Sequence, residues 1–230
     1  MNSIVRIALK TTPEQAERLR ALQQAFAQAC NVLAPTVQST RCWNRVALHH
    51  MAYKSLRQQF PGLGSQMICN AIYSVSRTSR LVFQHPRSPF NIARWGDKPL
   101  PRLQFKPQSP VFFDRHTLSI KDGQISMFTL DGRMRFRLDV RPEDERRFRD
   151  EKLREIALSA KAEVFMLSFH FSKLDGEADT ETDGEAPATP ATVDGLATAA
   201  DHLPDYVQVN ETLPASTAQP LPNALSPVTP

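Results

Sequence analysis

The chain begins with a short strand that leads directly into a capped helix: residues 4–15 read IVRIALKTTPEQ. The first seven of these residues are rich in β-branched side chains and partly alternate with polar ones, which predicts a strand. Thr12 as N-cap, Pro13 at the first helical position and Gln15 three residues after the cap predict the start of a helix. Apolar side chains then recur at steps of three and four, which predicts an amphipathic helix ending near Pro35. They are Leu19, Leu22, Phe26, Ala29 and Leu33.

Two more helices are expected in the first half of the chain. The second runs from about residue 42 to residue 59, and Pro-Gly-Leu-Gly at residues 61–64 ends it. Ser65 can cap a third helix that continues to about Phe83. Residues 85–110 are rich in proline and show no periodicity, which indicates a long connection. It should pack against the body, because it would otherwise expose the large apolar side chains Trp95, Leu103 and Phe105.

Short strands are expected to follow this connection. Asp122-Gly123 and Asp131-Gly132 are strong hairpin signals, and they lie among the apolar segments 111–113, 118–120, 124–130 and 134–140. Pro142 opens a short charged helix to about residue 156, and residues 162–171 form a last apolar strand. The expected class is α+β: a small β-barrel or sheet interrupted by a three-helix lobe, with the first strand rejoining the later ones.

The predicted elements divide the chain into three parts. Residues 1–10 and 97–172 would form the β-barrel domain, and residues 11–96 the helical lobe with its linker. From about residue 173 the chain is dominated by Pro, Ala, Thr, Asp and Glu, and its one aromatic residue is Tyr206. Such a stretch cannot bury enough apolar surface to offset chain entropy, so residues 173–230 are predicted to be a disordered acidic tail.

Charge divides the chain at the same position. Residues 1–172 carry 27 Lys+Arg and 14 Asp+Glu, whereas residues 173–230 carry one Lys and ten acids. Most of the basic residues are Arg, whose planar guanidinium binds phosphates bidentately and stacks on rings. A basic body of this size is typical of proteins that bind a polyanion, because neutralised phosphates release their counterions. The alternative is a solvated basic surface on an ordinary enzyme.

The sequence contains no recognisable catalytic or metal-binding motif. Cys30, Cys42 and Cys69 form no CxxC pair, so we expect reduced thiols and neither a disulfide nor a zinc site. Phosphate-cradling loops, dinucleotide-binding glycine motifs and hydrolase or zinc-protease motifs do not occur in it. We therefore expect a binding protein that is not an enzyme and uses no cofactor. With neither a secretion signal nor a membrane-length apolar run, the chain is expected to be cytoplasmic and to have no membrane partner.

Arginines at strand spacing are the best signal for nucleic acid. Residues 133–137 read RMRFR, and strand geometry puts Arg133, Arg135 and Arg137 on one face, about 6–7 Å apart. That spacing matches the pitch of a phosphate backbone. The alternative interpretation is an exposed edge strand that charge protects from pairing.

The predicted helices offer a second group of candidates. Arg41, Arg45 and Arg57 alternate with two aromatic rings, Trp43 and Tyr53, that would stack on bases. Core packing is the alternative role for Trp43. Near the end of the third helix, phosphate contact and capping of the helix dipole are equally good roles for its two cations, which are Arg77 and Arg80.

Several short motifs also occur in a distinctive order. A basic opening strand leads into a Thr-Pro-x-x-Gln-type cap, and Asn31 follows the apolar stretch of the first helix. Residues 100–106 read LPRLQFK, and Asp131-Gly132-Arg133 follows. In the order and spacing of these motifs, roughly residues 3–172 resemble the N-terminal part of the TnpB (OrfB) proteins of bacterial insertion sequences. Those proteins are RNA-guided DNA nucleases related to the type V CRISPR effectors.

The resemblance implies a wedge-like β-barrel interrupted by a recognition lobe, which together grip a guide RNA and the short motif beside the DNA target. The protein would hold the backbones while guide pairing reads the sequence. Structured RNA and double-stranded DNA are then the expected partners, and a separate nuclease subunit is a further one. The contacts carried over by matching elements are Lys10, Arg102, Lys106 and Arg133, and neighbouring positions add Arg6 and, as a stacking ring, Phe105.

The chain departs from that family where cleavage is concerned. The family's nuclease domain needs three carboxylates that hold two metal ions, and a CxxC…CxxC zinc ribbon, but this sequence contains neither set. Asp194, in the stretch TVDGLAT, is loosely similar to the first carboxylate but lacks its partners. The implied function is a nucleoid-associated bacterial protein that binds RNA or DNA without cutting it, as a truncated transposon product or a domesticated binder.

Two other interpretations remain open. The chain would be a protein-interaction or regulatory module if its acidic tail engages a partner or screens the basic face. The abrupt change in composition near residue 174 also fits a decayed reading frame with a fused or frame-shifted tail.

Overall fold

The computed structural model describes residues 2–121, 123–138, 140–161, 163–173 and 203–210. The helices are α1 (Pro13–Thr40), α2 (Arg45–Gln59), α3 (Ser65–Phe83), α4 (Ile92–Trp95) and α5 (Pro142–Asp150). The strands are β1 (Asn2–Ala8), β2 (Arg102–Phe105), β3 (Val111–Phe113), β4 (Leu118–Lys121), β5 (Gln124–Thr129), β6 (Gly132–Arg137), β7 (Glu151–Lys161), β8 (Val164–Lys173) and β9 (Val207–Asn210).

The fold is α+β, with three antiparallel sheets. One sheet has the order β1-β8-β7-β3, the second pairs β2 with β9, and the third is the meander β4-β5-β6. The first strand pairs with β8 along its whole length, which confirms that it rejoins the later strands. The sheets stay separate in the described part of the chain, so the sheet form of the prediction holds and a closed barrel does not. No described helix is long and apolar enough to cross a membrane.

Helix α1 packs against strands of all three sheets. Polar side chains along it bind backbone carbonyls of the segment that runs past it in the opposite direction. Gln38 Nε2 donates to Leu100 O at 2.9 Å and Asn31 Nδ2 to Phe105 O at 2.9 Å. Further towards the N-terminus of the helix, Gln23 reaches the carbonyls of residues 108 and 109, and Arg18 contacts residues 129 and 131. Residues 100–131 are thereby aligned antiparallel to the helix.

The apolar core runs continuously from the helices into the sheets. Phe26 and Leu33 of α1, Phe83 of α3, and Phe165 and Phe169 of β8 are all at most 1% exposed and belong to one cluster. At about 25 cal/mol per Å² of apolar surface, such side chains each contribute about 2 kcal/mol or more. The proposed division into a β-domain and a helical lobe stays a prediction, because one core serves both.

The start of α1 confirms the sequence prediction, whereas its end does not. Thr12 accepts from the Gln15 amide and Gln15 Oε1 accepts from the Thr12 amide, which completes the capping box. The helix does not stop near Pro35 but continues through it to Thr40. Proline costs the helix one hydrogen bond. Burial of Val37 and the bond from Gln38 to Leu100 offset that loss in the following turn.

The other helix boundaries differ slightly from expectation. Asn44 caps α2 by accepting from the amides of Val46 and Ala47, so the helix begins at Arg45 rather than near residue 42. The N-cap of α3 is Gly64, without a side-chain bond, and Ser65 is the first helical residue.

The charged helix expected from Pro142 to about residue 156 is too long by six residues. Helix α5 ends at Asp150, and Glu151–Lys161 is the long strand β7. The sequence of β7, EKLREIALSAK, is rich in good helix formers. Its two neighbours in the sheet, β8 and β3, supply hydrogen bonds on both edges, and this tertiary pairing overrides the local preference.

The connection 85–110 is more ordered than predicted. It contains α4 and β2, and Leu103 and Phe105 are each 2% exposed, which confirms that the connection packs against the body. Strand β2 is too short to be recognised from alternation. It is held on one side by Asn31, which binds both the amide and the carbonyl of Phe105, and on the other by β9.

The tail prediction is wrong for residues 203–210. This segment contains β9, and Tyr206 and Val207 are buried. Composition hides the segment, because its few apolar residues stand in a long acidic, Pro-rich context. The rest of the predicted tail, including Asp194, lies outside the described residues.

Replacing Asn31 by Ala should destabilise the protein by about 1–3 kcal/mol, because the partly buried amide and carbonyl of Phe105 lose their partner. Urea unfolding monitored by circular dichroism measures this free energy. Gln28→Ala is the control, since Gln28 lies exposed on the same helix, and it should change the value by less than about 0.5 kcal/mol. Equal effects of the two substitutions would contradict the conclusion that Asn31 holds β2 through the amide and carbonyl of Phe105.

Candidate nucleic-acid interface

The outer face of the β4-β5-β6 sheet is the most concentrated basic surface that the predicted arginines form. In β6, Met134 and Phe136 are buried while Arg133, Arg135 and Arg137 are exposed, so the alternation predicted from sequence is confirmed. The apolar sides of the three strands all face inward, where Ile125 and Met127 of β5 also lie. The sheet therefore has one core face and one exposed face.

Strand register places polar partners beside each arginine. Across the sheet, Arg137 lies opposite Gln124, and Gln124 lies opposite Lys121. One step along, Arg135 lies opposite Ser126, and Ser126 opposite Ser119. The third row pairs Arg133 with Phe128, which is 39% exposed. This face, called the basic sheet face below, consists of Ser119, Lys121, Gln124, Ser126, Phe128, Arg133, Arg135 and Arg137.

Arg133 is fixed on the basic sheet face by hydrogen bonds and by a ring. Its Nη1 donates to Ser126 O at 3.0 Å and its Nη2 to His116 O at 3.0 Å. The guanidinium carbon lies over the Phe128 ring, 4.6 Å from its centre. The arginine and the ring thus form a cation–π pair, and a guanidinium plane is a surface on which nucleic-acid bases stack.

The charge of the basic sheet face is of one sign. None of the three strands contains Asp or Glu, whereas the face carries four cations. Successive arginines along β6 are separated by about 6–7 Å, because each residue advances a strand by about 3.3 Å. The face can thus place several positive charges along one strand of phosphates while its serines and Gln124 bind further oxygens. The edge-strand alternative remains open, since β6 is the last strand of its sheet.

Arg77 has a different role, because its charge is used inside the protein. Its Nε lies 3.4 Å from Glu155 Oε2, and both side chains are less than one-fifth exposed. Tyr73 donates its hydroxyl to the same carboxylate oxygen at 2.6 Å. Burial, followed by the negative charge of Glu155, raises the pKa of Tyr73 far above its ordinary value. Arg77 also lies over the Phe112 ring, 5.6 Å from its centre. These contacts make it a structural residue rather than a phosphate contact.

His170 of β8 lies close to this ion pair. It is 8% exposed, and burial lowers its pKa. The positive charges of Arg77 and Arg6 act in the same direction, while Glu155 opposes them. Arg6 itself is exposed on β1.

The helical candidates around the end of α1 contact other parts of the protein. Arg41 ends α1 in the left-handed conformation, with φ 53°, and its guanidinium donates to the carbonyls of Lys98 and Gly96. Trp43 packs on Phe83 with ring centres 5.6 Å apart, which supports its alternative role in the core.

The α2 candidates are likewise occupied by neighbours. The Tyr53 ring stacks on His49 with centres 4.6 Å apart, and Arg57 Nη1 reaches Leu63 O at 3.4 Å. Arg45 lies over the Tyr73 ring, 5.5 Å from its centre. Arg80 is exposed in the last turn of α3.

Strand β2 and the residue after it contain three candidates, and these differ in exposure. Phe105 is buried and cannot serve as a stacking ring, so that prediction is wrong. Arg102 is exposed, and Lys106 directs its ammonium to the carbonyl of Asp205. Lys10, which follows β1, is exposed as well.

Sequence reasoning missed part of the basic sheet face. Phe128, Lys121, Ser119 and Ser126 were not among the candidates, although they share the face with the predicted arginines. The signal was present in QISMFT, where positions 124, 126 and 128 alternate with the buried ones. Phe128 stands at an outward position of that alternation, where a large apolar side chain is unusual. Its position in the pattern could therefore have marked it as a surface ring.

No group of three or more His, Cys, Asp or Glu among the described residues is arranged to hold a metal ion. No protein-family model matches this chain. No curated protein sequence matches it either.

The buried position of His170 predicts acid sensitivity. The unfolded chain binds a proton on this histidine near pH 6.5, whereas the folded protein binds that proton only at a lower pH, because the pKa of His170 is lowered. Unfolding free energy should therefore fall as the pH drops below about 6.5, by at most about 1.4 kcal/mol per pH unit from this residue. Urea unfolding between about pH 7.5 and pH 5 should show a shallower slope for His170→Gln than for the wild type. Identical slopes would contradict the depressed pKa.

Proposed function

We propose that this chain is a nucleic-acid-binding protein that holds a phosphodiester strand on the basic sheet face. The observation that carries the proposal is the combination on one sheet of four cations, three hydrogen-bonding side chains and an exposed aromatic ring, in strands without a carboxylate. Sheet faces of this kind suit nucleic acids, because cations track the backbone while aromatic and guanidinium planes accept bases.

Single-stranded segments of a structured RNA are the form that the basic sheet face fits best. Unpaired bases can reach the Arg133–Phe128 pair, whereas the bases of a duplex are stacked on one another and cannot pack against it. The resemblance to the N-terminal part of TnpB-type proteins supports a guide RNA as the natural ligand and double-stranded DNA as a second one. The protein would act at the bacterial nucleoid as a transposase-like binder without nuclease activity of its own.

Replacing Arg133, Arg135 and Arg137 together by Gln should weaken binding of a labelled RNA hairpin with a single-stranded flank by at least about tenfold at low salt. The slope of log K against log salt should become less steep by about 2, since about 0.7 is lost for each phosphate contact on a single strand. Fluorescence anisotropy across a salt series measures both quantities. Sequencing the nucleic acid that co-purifies with the full-length chain identifies the natural ligand.

A control variant distinguishes the effect of the basic sheet face on binding from the effect of net charge alone. Arg146, Arg149 and Lys161 are exposed on α5 and β7, so replacing them by Gln removes the same charge elsewhere. Equal losses in the two triple variants would overturn the proposed location. Phe128→Ala should weaken binding to the single-stranded flank but not to a blunt duplex, because base stacking is worth about 1–3 kcal/mol per base.

A regulatory role for the acidic tail is the second candidate. It is favoured by the contact between Lys106, an expected nucleic-acid residue, and the backbone of Asp205. Residues 174–202 contain eight Asp or Glu and lie between two segments that are both fixed to the body, β8 and residues 203–210. We propose that these acids compete with phosphates for the basic body.

Replacing the eight acids by Asn or Gln should tighten RNA binding at low salt and have little effect at high salt, where charges are screened. The same anisotropy titration measures this, and β9 stays in place in the variant. Unchanged affinity at low salt would refute a masking role.

A further inference from the structure

Residues 203–210 are far in sequence from the rest of the described chain but make many contacts with one small region of it. The segment reads LPDYVQVN, and 29 residues separate it in sequence from Lys173 at the end of β8. Its hydrogen bonds to the described body go to residues 102–109 and to Thr78. A short segment with concentrated contacts and a long tether has the organisation of a linked peptide ligand.

The segment binds by adding a strand to the edge of β2. The two strands pair antiparallel from Arg102 opposite Asn210 to Phe105 opposite Val207. The pairing extends beyond the strand, because the Lys106 amide donates to Tyr206 O at 3.0 Å and Ser109 Oγ donates to the same oxygen at 3.1 Å. Main-chain bonds of this kind give affinity to peptides that add a strand to an exposed sheet edge.

Tyr206 is the anchor of the segment. It is 8% exposed, and its hydroxyl lies 3.3 Å from Thr78 Oγ1 of α3, a side chain that is 0% exposed. Burial raises the pKa of Tyr206. The neighbouring Asp205 and Gln208 are exposed. Tyr206 and Val207 are thus buried together between two exposed polar residues, and a buried tyrosine is a typical anchor at the centre of a peptide or protein interface.

The strand that receives the segment has a second partner on its other edge. The amide and carbonyl of Phe105 point away from β9 and are bound by Asn31 at 2.7 and 2.9 Å. The side chains of Leu103 and Phe105 are buried in the main core. Strand β2 is therefore attached to α1 by hydrogen bonds that the segment does not supply, and its other edge is the one that receives β9.

We propose that the groove between β2 and α3 is a peptide-binding site whose occupant is the chain's own segment 203–210, held as an exchangeable intramolecular ligand. Selectivity comes from the tyrosine at the centre, with Val207 beside it and Pro204 before it, all three buried. The site belongs to a different sheet from the basic sheet face, and the proposal does not rest on nucleic-acid binding.

The test uses the full-length chain with a specific protease site replacing residues 186–191, so that one cut separates the segment from the body without removing it. After cleavage, the fragment carrying residues 203–210 should remain with the body in size-exclusion chromatography. An excess of the synthetic peptide LPDYVQVN should then displace it, and the labelled peptide should bind the emptied body in fluorescence anisotropy. The body should keep a cooperative melting transition throughout.

Variants of the segment make the test specific. Tyr206→Ala in the labelled peptide should weaken binding by about 30-fold or more, as expected for the loss of an interface anchor worth about 2 kcal/mol. Tyr206→Phe should weaken it only a few-fold, since it removes the hydroxyl near Thr78 alone. Gln208→Ala is the matched control and should bind like the natural peptide, because that side chain is exposed.

Three results would overturn the proposal. The first is a fragment that resists exchange with excess peptide, because the segment is then an integral part of the fold. The second is a body that loses its melting transition on displacement, because it then needs the segment to fold. The third is equal binding of the natural and Tyr206→Ala peptides, because the groove then has no anchor pocket.

Discussion

The alignment of residues 100–131 along helix α1 is the constraint from which the rest of the architecture follows. A helix of 28 residues is about 42 Å long, and its polar side chains bind backbone carbonyls of the passing segment at Leu100, Phe105, Ser109 and Asp131. Each bond is modest in water-accessible surroundings but costly to lose where the backbone is shielded. Together they fix where β2, β3 and β5 lie, and thereby where the three sheets meet the core.

That alignment also decides how the arginines are used. Beside the buried part of β7, the charge of Arg77 is used inside the protein, where it pairs with Glu155. The β4-β5-β6 meander turns only one face to the core, so the arginines of β6 stay on the outside. Residue type alone does not separate these two uses. The surroundings that each guanidinium meets in the fold separate them.

Local signals predicted the elements that local interactions build. The capping box at Thr12 and the alternation of RMRFR depend on residues within a few positions of each other, and both appear as expected. The sequence was misleading where distant partners decide. Helix formers in β7 become a strand between two others, and the segment around Tyr206 is ordered by a groove that is formed about a hundred residues earlier. Phe105 illustrates the same limit, because its backbone amide is bound by an asparagine 74 positions away.

The long separation of paired strands has a consequence for how the protein is made. During translation, β1 leaves the ribosome well before its partner β8, and β2 leaves it about a hundred residues before its partner β9. Of the three sheets in the described residues, only the β4-β5-β6 meander finds all of its strand partners as it emerges. Loop closure over such distances is slow, so the nascent chain would carry an unpaired edge on β2 until β9 has emerged, and a chaperone bound to that edge would favour a good yield of native protein.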